Sequence, residues 1–294
     1  MRDGGYRWFR ILLHMIFTAG VLAVLVLSLP QMMLHLQDEG GAAEGPAVEM
    51  VSLNKILEKK TLNQEDYRLI FQQTGLGAPA VESLKNAHGY RRKKIEAFQA
   101  ANFSQRHIVC TNAGISIRQD RCLPGNGTKV PLAPVEDGDI LVSFSSHSLG
   151  WRHGHAGIVT DAQKGICLEA LTLGCESELK DLDHWRNYSN FAVLRLKGAD
   201  ARKRKAIASY AGQNLQNIPY SLLSGIFKEE EPESDCCSSA QCAYLIWYAF
   251  AHFGYDLDAD GGRIVTVADL ARSPSLEIVQ CFHINPEHFA FQLQ

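Results

Sequence analysis

From Ile11 to Leu29 the chain is apolar, interrupted only by His14, Thr18, Gly20 and Ser28. As a helix rising about 1.5 Å per residue, the run reaches roughly 28 Å, close to the hydrocarbon thickness of a bilayer. Residues 37–48 are rich in Gly, Ala and Glu and read as a linker. Helical periodicity then takes over. LNQEDYRLIFQQTGLG places Tyr67, Ile70 and Phe71 on one face, with Asn63 as N-cap and Gly75 as the stop. PAVESLKNAHG predicts a second short helix ending before Gly89. YRRKKIEAFQAANF predicts a third, whose basic half reads as a solvated face. Together these define a helical segment over residues 49–125.

From about Pro131 the pattern changes. GDILVSF (138–144), HAGIVT (155–160), GICLEAL (165–171) and NFAVLRLK (190–197) read as strands. ADARKRKAIASYAGQNL (199–215) is an amphipathic helix, and AQCAYLIWYAFAHFG (240–254) is apolar almost all round, hence deeply buried. The expected fold class is α+β, an antiparallel sheet packed on that buried helix. The expected division is 1–36 cytosolic stub and transmembrane anchor, 37–48 linker, 49–125 helical segment and 126–294 main domain.

Composition changes this picture little, and charge patterning changes it more. The 294 residues are 46% hydrophobic and 21% charged with net charge −3, so no basic surplus points to nucleic acid. Arg2, Arg7 and Arg10 precede the apolar run, whereas QDEGGAAEGPAVE beyond it holds four carboxylates and no lysine or arginine. The positive-inside rule then keeps the N-terminus in the cytosol and exports the rest. The run is longer than the 7–15 residues of a signal-peptide core, and LSLPQMMLHL is a poor cleavage site. An uncleaved anchor is preferred over a cleaved signal peptide and over a buried core helix. Export opens Cys110, Cys122, Cys167, Cys175, Cys236, Cys237, Cys242 and Cys281 to oxidation. Cys110–Cys122 and Cys167–Cys175 are candidate local closures, but spacing cannot fix the connectivity. If one thiol is reactive, at least one of the other seven stays unpaired. Asn102, Asn126 and Asn187 head sequons that matter only in a glycosylating host.

The candidate chemistry centres on Cys242. Ser238 as N-cap with Gln241 three residues on forms a capping-box pattern and sets Cys242 in or just beyond the first turn. There the helix dipole favours a thiolate, and free N–H groups can hold an oxyanion. The alternative is a small hydrophobe packed beside Trp247. A partner base comes from HAGIV. If Thr160 faces Ile166, then Gly157 faces Glu169, and His155 and Glu169 are diagonal neighbours on one face. A one-residue slip would separate them. In this register Glu169 orients His155, whose other nitrogen faces the thiol, the nucleophile–base–orienter logic of cysteine hydrolases. His153 is a weaker candidate at the mouth. A zinc site from His153, His155, Cys167 and Cys175 lacks tight ligand spacing, so no metal or cofactor is expected.

These residues carry a family resemblance. GDILV, GHAGIV, LEAL, QCAYLIWYAF and GGRIVTVADLARSP, in that order, resemble the YiiX/YebB-like group of NlpC-type, circularly permuted papain-like cysteine hydrolases. The match covers about residues 131–283, and histidine precedes cysteine as in that group. The resemblance implies a permuted papain-like fold with Cys242 as nucleophile, His155 as base and Glu169 as polarising residue. Asp139 matches the start of the G-D-I strand, a structural turn. Ala243 replaces the usual serine, Val267 stands in place of a proline, and Cys236 and Cys237 crowd the nucleophile. The implied function is a membrane-anchored, extracytoplasmic amidase or peptidase acting on a peptide or amide substrate, such as cell-wall peptide. A lipid acyl hydrolase or transferase of the related fold and a non-catalytic ligand-binding module are the alternatives.

Overall fold

The computed structural model describes residues 3–37, 42–43, 46–86, 91–113, 117–123, 129–148, 151–224, 237–262 and 264–284. Cys236, the Asn126 sequon, Gly89 and much of the 37–48 linker lie outside the described residues. The elements run α1 (Asp3–Gln37), β1 (Ala42–Ala43), α2 (Asn54–Leu57), α3 (Gln64–Thr74), α4 (Ala78–Asn86) and α5 (Arg91–Asn102). Next come β2 (Arg106–Asn112), β3 (Arg118–Leu123), β4 (Ile140–Ser143), β5 (Ser146–His147), β6 (His155–Asp161), β7 (Ile166–Glu169) and β8 (Glu178–Asp181). A 3₁₀ turn, Leu182–Asn187, leads to β9 (Phe191–Leu196), α6 (Ala201–Asn214), α7 (Cys242–Ala251), α8 (Val267–Arg272) and β10 (Leu276–Phe282).

The architecture is mixed α and β with antiparallel sheets. Six strands form the main sheet in the order β10-β9-β4-β6-β7-β8, and β1-β2-β3-β5 form a smaller one. Successive strand side chains point to opposite faces, and here both faces of the main sheet are buried. Ile140, Val142, Ile158, Leu168 and Leu194 face one core with α6, α7 and α8. Leu141, Val159, Cys167 and Val193 face a second core with α3, α4, α5 and the 3₁₀ turn. This two-sided burial explains why the strands read as nearly continuous apolar runs. In α7, Leu245, Ile246 and Phe250 are fully buried, each contributing about 1.5–3 kcal/mol of transfer free energy. That burial anchors the helix whose first residue is Cys242.

Local signals hold at several ends. Asn63 and Asp66 form a capping box on α3, and Gly75 ends it in the left-handed region with φ 72°. Asp139 is wholly buried at the turn into β4, where both its carboxylate oxygens pair with Arg195 (2.8 and 2.7 Å). The expected helical character of 49–125 does not hold to its end: residues after Asn102 form β2 and β3, which pair as a hairpin. Nor are the local disulfides present. Neither Cys110 and Cys122 nor Cys167 and Cys175 are joined. Cys110 lies opposite Asp120, while Cys122 lies opposite Ile108, and Cys167 lies opposite Lys180. The Asn102 side chain is buried and donates to the Gln73 carbonyl, so it is no open glycan acceptor.

α1 is the exception to burial. Its window Trp8–Val26 has mean hydropathy 2.2 and no buried residue. It is a long apolar helix near the N-terminus, of anchor or signal-sequence type.

Candidate active site

β6 and β7 set the first two groups. Gly157 pairs with Glu169, Ile158 with Leu168 and Val159 with Cys167. The expected pairing of Thr160 with Ile166 is not observed: a bulge makes Asp161 the partner of Ile166. The extra residue is taken up beside the turn, so the register nearer the site is unchanged. His155 and Glu169 therefore share a face, and His155 Nε2 lies 2.9 Å from Glu169 Oε2. Both side chains are almost completely buried.

Glu169 is the hub of this face. Its Oε1 accepts from the Trp185 indole N–H (2.5 Å) and the Cys167 thiol (3.1 Å), and His184 Nε2 lies 3.1 Å away. Burial pushes the Glu169 pKa up, but hydrogen bonds and charge from His155 and His184 outweigh it and hold the carboxyl well below the usual range. The Trp185 ring stacks on the imidazole, with centroids 5.5 Å apart and planes 12° apart. Tyr188 meets Trp185 edge-on at 5.0 Å. The imidazole is thereby fixed in plane as well as in register. Gly157 makes room for this: a Cβ there would lie 3.1 Å from Glu169 Cγ and 3.2 Å from Trp185 Cζ2.

Cys242 comes from the opposite layer. It is the first residue of α7, and the N-cap is Gln241 rather than Ser238. Gln241 Oε1 accepts the Ala243 N–H (2.7 Å), and its Nε2 donates to the Val265 carbonyl (2.5 Å). The side chain is long enough to cap its own helix and tie it to the segment before α8, which leaves no capping task for Ser238. His155 is the first residue of β6, at the sheet margin, where the start of α7 can meet it. The Cys242 sulfur lies near enough to the imidazole to raise its pKa. Glu169 occupies Nε2, so Nδ1 is the nitrogen left for the thiol. Burial works against the imidazolium, but hydrogen bonds from Cys242 and Glu169 overcome it and raise the His155 pKa to about 9. Tyr220, bridged in parallel to Ala240, lies close enough that Cys242 adds to the rise in its pKa that burial begins. The Cys242 N–H, at the first helical position, has no acceptor within the helix.

The structure thus brings together the three residues singled out from sequence. Others fall elsewhere. His153 is tied into its own loop by Ser148 Oγ (3.1 Å) and the Gly154 carbonyl (2.8 Å). The set His153, His155, Cys167 and Cys175 does not converge on one point: Cys167 and His155 bind opposite oxygens of Glu169, and Cys175 is exposed. Cys237 is a thiol directed at the Ser239 carbonyl, not a disulfide with Cys242. Cys167 was discoverable from sequence, two residues before Glu169 on the same strand face. His184 and Trp185 gave no signal, because their roles depend on tertiary placement, and Gln241 was read as the far end of a Ser238 capping box rather than as the N-cap. No family model, curated protein or solved structure matches the chain.

Proposed function

We propose that the chain is a thiol hydrolase cleaving an amide bond, carried by α1 on the outer side of a membrane. The observation that carries the reading is the relay Glu169–His155–Cys242 at the start of a buried helix. Glu169 holds the imidazole through Nε2, which leaves Nδ1 to take the thiol proton. The Cys242 sulfur attacks the substrate carbonyl, forming a C–S bond. The Cys242 N–H stabilises the oxyanion. The imidazolium then gives its proton to the departing amine as the C–N bond breaks. Water, deprotonated by His155, resolves the thioester and returns the thiol.

The order histidine-then-cysteine and the motifs around both support a permuted papain-like fold of the YiiX/YebB-like kind. From that likeness the substrate is a peptide amide of cell-wall type. The arginines before α1 and the acidic stretch after it support an outward-facing catalytic body. A second reading keeps the mechanism and changes the acyl donor to a lipid. Exposed Trp151, Leu222 and Leu223 favour it, since they lie close in sequence to His155 and Tyr220.

Incubating the purified chain with muropeptides and with acyl lipids, and reading products by mass spectrometry, separates the two substrates. Cys242→Ala is expected to abolish both turnover and labelling by a thiol-directed probe. Hydrolysis that survives in this variant excludes the mechanism.

A further inference from the structure

A second convergence of ligating side chains lies on the small sheet, outside the proposed relay. Cys110 on β2 is the direct cross-strand partner of Asp120 on β3. His147 on β5 joins them because Arg118 of β3 pairs with it. His147 Nε2 is 3.1 Å from Asp120 Oδ1 and 3.9 Å from Cys110 Sγ. The coordinating atoms of the three residues all lie within 4.8 Å of one another. His147 and Asp120 are buried, with 1% and 4% of their surface exposed, whereas Cys110 is half-buried.

The trio looks at first like another thiol–imidazole–carboxylate relay. The geometry argues otherwise. A relay needs the two ring nitrogens to face different partners, but here the same Nε2 faces both the carboxylate and the sulfur. One nitrogen pointing into a thiol–carboxylate pair is the arrangement of ligands around a shared centre. Tetrahedral coordination, with bonds of about 2.0–2.1 Å to nitrogen and oxygen and about 2.3 Å to sulfur, sets ligand atoms roughly 3.3–3.6 Å apart. The observed 3.1 and 3.9 Å bracket that spacing.

We propose that Cys110, Asp120 and His147 bind a zinc-type divalent cation, with water in the fourth position. The thiol proton leaves to solvent on binding, since only the thiolate ligates. Asp120 is prepared for the role: Arg152 donates to its Oδ2 (2.6 Å), which leaves Oδ1 toward the ion. Arg152 belongs to the loop joining β5 to β6, and that loop ends at His155. The ion would therefore fix a two-residue strand and the approach to the proposed relay. Two other clusters are weaker. Cys167, Glu169 and His184 share the carboxylate that holds His155, and in Asp258, Asp260 and Asp269 the third already caps α8.

The test uses the full chain in detergent, stripped by a chelator and titrated with Co²⁺ and then Zn²⁺. The expected result is one equivalent of cobalt with a thiolate-to-cobalt charge-transfer band, displaced by zinc. Cys110→Ser should remove the band and weaken zinc by at least roughly tenfold, because outer-shell changes alone cost about 10–100-fold. Asp120→Asn, which keeps the size of the side chain, should weaken zinc as well and decides the matter if Cys110→Ser fails to fold by circular dichroism. The proposal is overturned if the wild type shows no band. It is equally overturned if the band survives Cys110→Ser, or Asp120→Asn leaves zinc affinity unchanged, or the band disappears instead in Cys242→Ala or Cys167→Ser.

Discussion

The His155 imidazole sits between a carboxylate and a thiol in the protein interior, and that placement decides when it carries a proton. In the unfolded chain it titrates near its usual value of about 6.5. In the fold, burial opposes the charge, yet Cys242 and Glu169 raise the pKa to about 9. The folded state thus holds the proton more tightly. The resulting stabilisation is fully present below the unfolded value and is lost as pH rises through the folded one. The melting temperature of the wild type should therefore fall between pH 7 and 10, and more steeply than that of His155→Gln. Parallel curves for the two proteins would refute the coupling. At this scale much was legible beforehand. Period-two alternation and a reasonable turn put His155 and Glu169 on one face, and a helix start marked Cys242. The rest of the surroundings was not legible, since Trp185 and His184 reach Glu169 from a 3₁₀ turn about fifteen residues away in the chain.

Pairing between β6 and β7 is what sets His155 and Glu169 on one face. Its tightest point is Gly157, directly opposite Glu169. A methyl group there meets Glu169 Cγ at 3.1 Å, Trp185 Cζ2 at 3.2 Å and the Leu168 carbonyl at 3.4 Å. Each neighbour must yield by a few tenths of an ångström, and the side chains that yield are those that orient the imidazole. Gly157→Ala should cost about 1–3 kcal/mol by overpacking, read as a lowered urea midpoint. Because a small misplacement of catalytic groups is costly, labelling of Cys242 by a thiol probe should slow by roughly tenfold or more. Full stability with full labelling would show that the glycine is not required for the relay. The strands of this sheet were readable because both faces are buried and the runs are apolar. β2 and β3 were not. Their segments, RHIVCTN and RQDRCL, place Arg106, Gln119 and Asp120 in buried positions, so polar residues stand where a hydrophobic pattern would have shown the strand. The bulge at Thr160 was hidden for a different reason. It changes the pairing next to the turn and leaves the alternation of the remaining strand intact.

The whole molecule divides its apolar surface in two ways. The body buries it in two cores, one on each side of the main sheet. α1 buries none of its window Trp8–Val26. On the proposed reading, a helix of this length and composition is matched to a bilayer or to the machinery that inserts it. On that reading, arginines on one side of the run and carboxylates on the other would keep the N-terminus in the cytosol, because basic residues resist translocation far more than acidic ones. The full chain should remain in the membrane pellet after alkaline carbonate washing, and detergent should release it. External protease should digest the body in intact cells, while inside-out vesicles should protect it. A soluble extracytoplasmic product lacking α1 would instead identify the run as a cleaved signal. Protection of the body in intact cells would reverse the orientation, and with it the proposal that the thiol acts on substrates outside the cytosol.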